Sequence, residues 1–403
     1  MKENNRSCGI SNNHSLALAQ SHQETLSQEN VVLKIALLTY STKPRGSVIH
    51  TLELANALHQ WGHEPCVFAL DKDGKGFHRS TDFLTCTVPA QPCDAGIDAL
   101  IKQRISEFVQ FFQQHDTHYS IYHAQDCLSA NALATLRDQG HIPQFVRTVH
   151  HIESFNSPYL QDCQEKSIYL PDRCLCVSEL WQTALKKDYG IDAYRVTNGV
   201  SDRFCTARDG SENALAKALN IQARPLYLTV GGIEPRKNSI SLLKAFAKVR
   251  QQQPTAQLLI AGGATLFDYQ DYRQAFMSLA DAYGLKDALI LPGVIADEDM
   301  PALYRLADAF VFPSIKEGWG LVVLEAIKSG LPVLTANQPP FTEFLTPQDA
   351  CLVNPHSVNA IAAGMISLTE NTSQKSLPSK VPLPTWKTSA QQHLTLYHQL
   401  TTH

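Results

Sequence analysis

The sequence has no run of roughly 18 uninterrupted apolar residues, the length a helix needs to cross a bilayer, so no membrane span is expected. It has no surplus of basic residues either: 34 Lys and Arg stand against 38 Asp and Glu, a net charge of -4. That balance offers no general attraction to nucleic-acid phosphates or anionic lipid, and neither is expected as a partner. No GxGxxG follows the first apolar run, which argues against an NAD oxidoreductase. Residues 1 to 30, rich in Asn, Ser and Gln, lack the basic start and apolar stretch of a secretory signal; they read as a disordered lead-in, and export is not expected. The ten cysteines form no CxxC pair. In a chain this large they read as buried thiols of a reducing cytosol, which predicts a cytoplasmic location.

What is present is an alternation. With 403 residues, 44% of them apolar and 18% charged, the chain fits two soluble globular domains. VVLKIALLT (31 to 39) is a β-rich run too short for a typical helix, followed by the polar loop YSTKPRGS and a periodic helical stretch ending near Gly62. Short apolar runs then recur at 66 to 70, 83 to 88, 120 to 124, 145 to 149, 173 to 177 and 194 to 197, most of them separated by helical patterns. A second series starts at LYLTVGG (226 to 232) and continues through LLIAGG, ALILPG, AFVFPS and PVLTA (332 to 336). Strand and helix in alternation predict an α/β fold of two Rossmann-like, doubly wound parallel sheets facing a central cleft. The expected domains are 31 to 205 and 225 to 375, joined by a polar linker at 206 to 224. A trailing helix at 384 to 403 is expected to pack back toward the amino-terminal domain.

Two segments carry chemistry. In FPSIKEGWGLVVLEAIKSGLPVL (312 to 334), Glu317 precedes a helix start and Glu325 follows about one turn in. Gly318 and Gly320 leave backbone amides unobstructed beside the positive end of the helix dipole, which suits a pyrophosphate. Each carboxylate can orient a polyol; the plainer alternative makes Glu317 an ordinary acid at a helix start and Glu325 a solvated helix residue. In TVGGIEPRKNSISLLKAF (229 to 246), Arg236 and Lys237 sit at a strand-to-helix turn. Adjacent cations there can absorb the charge of a leaving diphosphate, a task often given to a divalent metal, so no metal site is expected. A solvated basic pair is the plainer alternative. His150 ends a strand in VRTVHHIESF, where it is either a site residue or a hydrogen-bonded core histidine; His151 would point elsewhere. His123 and Asp126 in YHAQD are open between an acceptor-side role and, for Asp126, a helix cap.

The EGWGLVVLE segment, the EPRKN turn, the IAGG strand end and the NGV tripeptide (198 to 200) resemble the retaining GT-B glycosyltransferases of the family 4 type, which include many bacterial mannosyl- and glucosyltransferases. The resemblance runs from about 31 to 403 and is specific over 226 to 345. It implies a GT-B fold with a carboxy-terminal crossover helix. It also implies transfer of a hexose from a nucleotide sugar, UDP- or GDP-linked, to a hydroxyl with retention of configuration and without a metal or other cofactor. Arg236 and Lys237 would hold the donor diphosphate and Glu325 the ribose. Glu317 and the amides from Gly318 to Gly320 would hold the transferred sugar, near His150. Gly232, Gly262 and Leu321 complete the donor-binding set, and the backbone at Val294 and Ile295 would meet the base. Trp319 stands where the family usually carries Phe, keeping an aromatic wall. The amino-terminal loop has only Gly46 in place of the usual glycine pair. A small soluble acceptor is expected, because the helix after Gly46 carries no basic cluster for a membrane surface. The oligomeric state is left as monomer or homodimer. An epimerase or hydrolase on the same frame, or a non-catalytic nucleotide-sugar binder, remains as an alternative.

Overall fold

A computed structural model describes residues 31–115, 118–263, 269–370 and 383–401. The lead-in expected at 1 to 30 lies outside them. The amino-terminal half runs β1 (Lys34–Thr39), α1 (Gly46–Gln60), β2 (Glu64–Asp71), β3 (Leu84–Pro89), α2 (Ile97–Gln114), β4 (Ile121–Ala124), α3 (Cys127–Asp138), β5 (Val146–Val149), α4 (Pro158–Tyr169), β6 (Arg173–Cys176), α5 (Glu179–Tyr189) and β7 (Tyr194–Arg195). The second half runs α6 (Ser211–Ala218), β8 (Leu226–Val230), α7 (Ser239–Gln252), β9 (Gln257–Ala261), α8 (Gln270–Ala282), β10 (Leu289–Gly293), α9 (Met300–Leu306), β11 (Ala309–Phe312), α10 (Leu321–Lys328), β12 (Val333–Ala336), β13 (Cys351–Val353) and α11 (Val358–Glu370). Helix α12 (Trp386–Thr401) follows.

The strands form a seven-stranded sheet in the order β3-β2-β1-β4-β5-β6-β7 and a six-stranded sheet in the order β10-β9-β8-β11-β12-β13. The central strand pairs are parallel, β1 lying between β2 and β4, and β8 between β9 and β11. Helices cover both faces, so these strands are apolar throughout rather than alternating; five of the six β1 residues are buried. In each sheet the strand order reverses at the first strand, and the crevice at the carboxyl ends there is where such sheets bind ligands. Local chemistry starts the helices that rim this crevice. The Asp126 side chain accepts from Ser129 N to cap α3, Ser157 caps α4 ahead of Pro158, and Ser178 caps α5.

The linker expected at 206 to 224 contains α6. Its Glu212, 3% exposed, is ion-paired with the buried Arg305 of α9, and Leu215 is buried as well. One acid of the segment is thus spent on a buried partner, while most of its other residues face water. Helix α12 packs on α1 of the first domain. Its Tyr397 hydroxyl lies 2.6 Å from His123 Nδ1, and Gln392 accepts from Thr197 N at 2.8 Å. The approach is tight where the chain arrives: a Cβ on Gly199 would stand 2.1 Å from Trp386 N. No helix among the described residues is long and apolar enough to cross a membrane.

Candidate active site

Between the two sheets lies a cavity of about 460 Å³, within the size range of small-molecule sites. Strand β8 ends at Val230 and leads through Gly231 and Gly232 into the turn that carries Glu234, Arg236 and Lys237; β11 ends at Phe312 and leads to Ser314 and Glu317. Because β8 and β11 are neighbours, charges 80 residues apart in sequence meet. Lys237 Nζ lies 2.6 Å from Glu317 Oε1, and Arg236 NH1 lies 3.3 Å from the same oxygen. Ser314 Oγ donates to Glu317 at 2.6 Å. On its other side Arg236 Nε reaches Glu234 at 3.0 Å, and Lys237 stands 4.5 Å over the Phe312 ring.

Burial pushes the Glu317 carboxyl up, but Lys237 and Arg236 together hold it below the usual carboxylate range. Burial and the Arg236 charge loosen the proton of Lys237, while Glu317 pulls the other way. The cluster is therefore a set of mutually compensated ions. Its two cations are already desolvated and oriented, which is the preorganisation that stabilises developing negative charge.

Helix α10 opens at Gly320, whose φ of 113° places it in the left-handed region. Leu321 and Val322, which open the helix, border the cavity with Gly318, Trp319 and Gly320. Trp319 is 7% exposed and packs against Phe344 with ring centroids 4.8 Å apart. One turn on, Glu325 is 9% exposed and accepts from the Tyr304 hydroxyl at 2.7 Å. Burial raises its carboxyl to about 7. It is thus not the solvated helix residue that the plainer alternative supposed. Gly232, Gly262, Val294 and Ile295 line the cavity from the ends of β8, β9 and β10. Gly262 is held to glycine by contact, since a Cβ there would lie 2.5 Å from the Gly231 carbonyl.

The amino-terminal wall contributes His150, at the end of β5, with Nε2 3.1 Å from Gln125 Oε1. Burial, with His151 and Arg147 nearby, keeps its imidazole well below the ordinary pKa, so it is neutral near pH 7. Its carbonyl abuts the opposite domain: a Cβ on Gly318 would fall 2.2 Å from His150 O. Trp181 Nε1 donates to Glu317 O at 3.0 Å, and the Glu343 carboxylate accepts from the amides of Glu179 and Leu180. The two halves of the site are therefore in contact across the cleft. His151 also borders the cavity and pairs there with Glu153 at 3.0 Å.

Other sequence candidates sit differently. Gly46 lies in the first turn of α1 and borders the cavity, but a Cβ there would meet nothing within 4 Å, so no contact demands glycine. His123 is fully buried between Tyr397 and Thr148, which leaves it a core histidine with no access to an acceptor. Asp126 caps α3. Sequence reasoning passed over Glu234, Ser314 and Tyr304, whose roles come only from partners distant in the chain. It also passed over Arg147, although a charged residue inside the apolar run FVRTV is itself a signal. Among the described residues no three His, Cys, Asp or Glu side chains gather as metal ligands would.

Two doubly wound sheets that meet across a cation-lined crevice define a two-domain protein of GT-B architecture. Comparison with known proteins makes the assignment specific. The family model of glycosyltransferase family 4 matches residues 44–204, and that of glycosyl transferases group 1 matches residues 211–380. The chain belongs to the GT-B glycosyltransferases, with a family 4 amino-terminal domain and a group 1 carboxy-terminal domain.

Among curated relatives, it is 28% identical to the O-antigen chain mannosyltransferase B of Escherichia coli over 251 residues, 58% of this chain and 63% of that protein. It is 24% identical to the mannosylfructose-phosphate synthase of Agrobacterium fabrum over 327 residues, 72% of this chain and 70% of that one. The aligned stretch thus spans less than two thirds of the mannosyltransferase. Among solved structures, the sucrose-phosphate synthase of Thermosynechococcus elongatus superposes with a TM-score of 0.74 at 22% identity, covering 92% of this chain and 99% of that one. Anabaena HepE, solved with UDP and glucose, gives 0.72 at 19% identity over 90% and 99%.

Proposed function

We propose that this glycosyltransferase moves a hexose from a UDP- or GDP-linked donor to a hydroxyl of a small soluble acceptor, with retention of anomeric configuration and without a metal ion. One observation carries the reading: Arg236, Lys237 and Glu317 share one crevice at the carboxyl ends of β8 and β11, facing the start of α10. In this reading the donor diphosphate draws the two cations toward itself and replaces Glu317 as their counter-charge. Glu317 then turns its oxygens to the hydroxyls of the hexose, and Glu325 takes the ribose. His150 is a neutral group that donates or accepts beside the sugar without repelling a developing positive charge at the anomeric carbon.

Retention by double displacement needs a carboxylate free to attack that carbon. Glu317, which keeps its bond from Ser314 and in this reading turns to the hexose hydroxyls, is committed to other bonds. The reading therefore follows a reaction on one face of the sugar: the leaving phosphate oxygen takes the acceptor proton as the new glycosidic bond forms. Positioning and charge stabilisation do the catalysis, with closure of the cleft keeping water from the donor. Cytoplasmic residence belongs to the same proposal and draws support from the nine described cysteines, all unpaired.

The test is turnover of nucleotide sugars by purified protein in EDTA, with the anomeric configuration of the product read by NMR. Activity should survive the chelator, the product should keep the donor's configuration, and Lys237→Ala should lose about 10²- to 10³-fold in kcat, the usual loss for one transition-state donor. A requirement for Mn²⁺, an inverted product, or wild-type rates in Lys237→Ala and Glu317→Ala would each overturn the assignment. Free sugar released as fast as it is transferred would favour the hydrolase instead.

A further inference from the structure

Arg147 lies inside β5, where a charged side chain is out of place. Strand alternation sends Thr148 to His123 on the α12 side, so Arg147 projects from the opposite face, close enough to Asp126 and Cys127 to act on both. It is 5% exposed, and its Nε and NH1 atoms have no hydrogen-bond partner. Among the described residues no carboxylate comes within ion-pairing distance of it. A guanidinium taken out of water with two nitrogens unbonded, and with only the through-space charge of Asp126 to offset it, is costly. Such an arrangement is retained where an anion arrives to complete it.

The surroundings point the same way. Arg147 borders the cavity, as does Gln125 just past the neighbouring strand β4, which is 1% exposed and has its amide Nε2 unpartnered. Helix α3 begins at Cys127, two residues after Gln125, with its first turn capped by Asp126. One group opposes an anion: Asp126 Oδ2 is buried without a partner, though burial raises that carboxyl and its other oxygen is engaged by Ser129 N. Asp126 Oδ2 suits a hydroxyl of the same ligand. The cations Arg236 and Lys237 belong to the other sheet and face the cleft from the opposite side.

We propose that Arg147 and Gln125 form an anion subsite on the acceptor wall of the cleft, and that the acceptor is a small hydroxyl compound carrying a phosphate or carboxylate group. The proposal rests on the reading of the cleft as a nucleotide-sugar transfer site. Arg147 grips the anionic end of the acceptor, as guanidinium does for planar or tetrahedral oxyanions, and leaves a hydroxyl free to face the anomeric carbon.

Thermal shift of the full chain tests it. With the protein saturated by UDP or GDP, inorganic phosphate should raise the melting temperature saturably, and Arg147→Met should weaken that response at least about tenfold, the effect of losing a charged hydrogen bond. The nucleotide's own shift should be the same in both proteins. Glucose 6-phosphate or glucuronate should exceed glucose, and the larger of the two shifts identifies the anionic group. Arg147→Lys, which keeps the charge, should recover part of the response. Equal phosphate responses in wild type and Arg147→Met, or an equal shift from glucose, would overturn the subsite. If neither nucleotide shifts the protein, the donor reading fails. The phosphate comparison is then made without nucleotide in the Lys237→Ala background, where it still reads Arg147.

Discussion

Replacing Glu325 with Gln separates the cost of burying a carboxylate from the use made of it. The folded protein raises this carboxyl from 4.5 to about 7, chiefly through burial and against the hydrogen bond from Tyr304. At about 1.4 kcal/mol for each pKa unit, holding the anion in the fold at pH 8 costs about 3 kcal/mol. The sign follows from proton counting. Between pH 4.5 and 7 the folded chain keeps a proton that the unfolded chain has released, so this group's contribution to stability is greatest below 4.5. It is lost as pH rises to about 7 and is level beyond. Glutamine, nearly the shape of the neutral acid, does not titrate.

The melting temperature of Glu325→Gln should therefore exceed that of wild type at pH 8 by roughly 6 to 12 °C if the carboxy-terminal domain melts as a unit. The gap should shrink through pH 7 and 6 and nearly vanish by pH 5. Calorimetry of both proteins across that series is the assay, and every other titrating group cancels in the difference. A gap that does not change with pH, or a wild type more stable at pH 8, would refute the reasoning. The stabilised variant should bind donor worse, with KM up about tenfold for one lost charged hydrogen bond; the same logic has wild-type KM rise as pH falls below 7.

Two further changes probe the frame. Gly318→Ala puts a methyl group 2.2 Å from His150 O and should hold the domains apart: small-angle scattering should show a larger radius of gyration, and kcat should fall about 100-fold, as misplacement near 1 Å does. Tyr397→Phe strands the buried His123 Nδ1, now 2.6 Å from the hydroxyl, and should cost about 1 to 3 kcal/mol in denaturant unfolding with donor KM unchanged.

The strands were legible because helices cover both faces of each sheet, so strands such as KIALLT and AFVF carry unbroken apolar runs that no half-exposed strand would show. Helix α6 was not, because it is eight residues long and its stabilising partner, Arg305, lies 93 residues away. The same division runs through the site. EPRK and EGWG could be read locally, since a turn and a helix start announce themselves by residue type. That Glu317 serves both Arg236 and Lys237 depends on β11 lying beside β8, and no spacing in the chain reveals a strand order. His123 was ambiguous for a comparable reason: its partner Tyr397 sits 274 residues on, in the last helix. Arg147 was visible and unread, a charge within a strand whose other residues are apolar or Thr.

The return of the chain to its starting domain, where Val200 N donates to Pro384 O beside Gly199, has a mechanical consequence. The half that carries Arg236 and Glu317 is inserted into the other half and fastened by two covalent strands side by side, as a door is by two pins. Twisting and sliding are resisted by such a mounting, while swinging about the line through the pins is not. A motion that parted His150 from Gly318 would on this mounting be a rotation about the Gly199–Trp386 crossing.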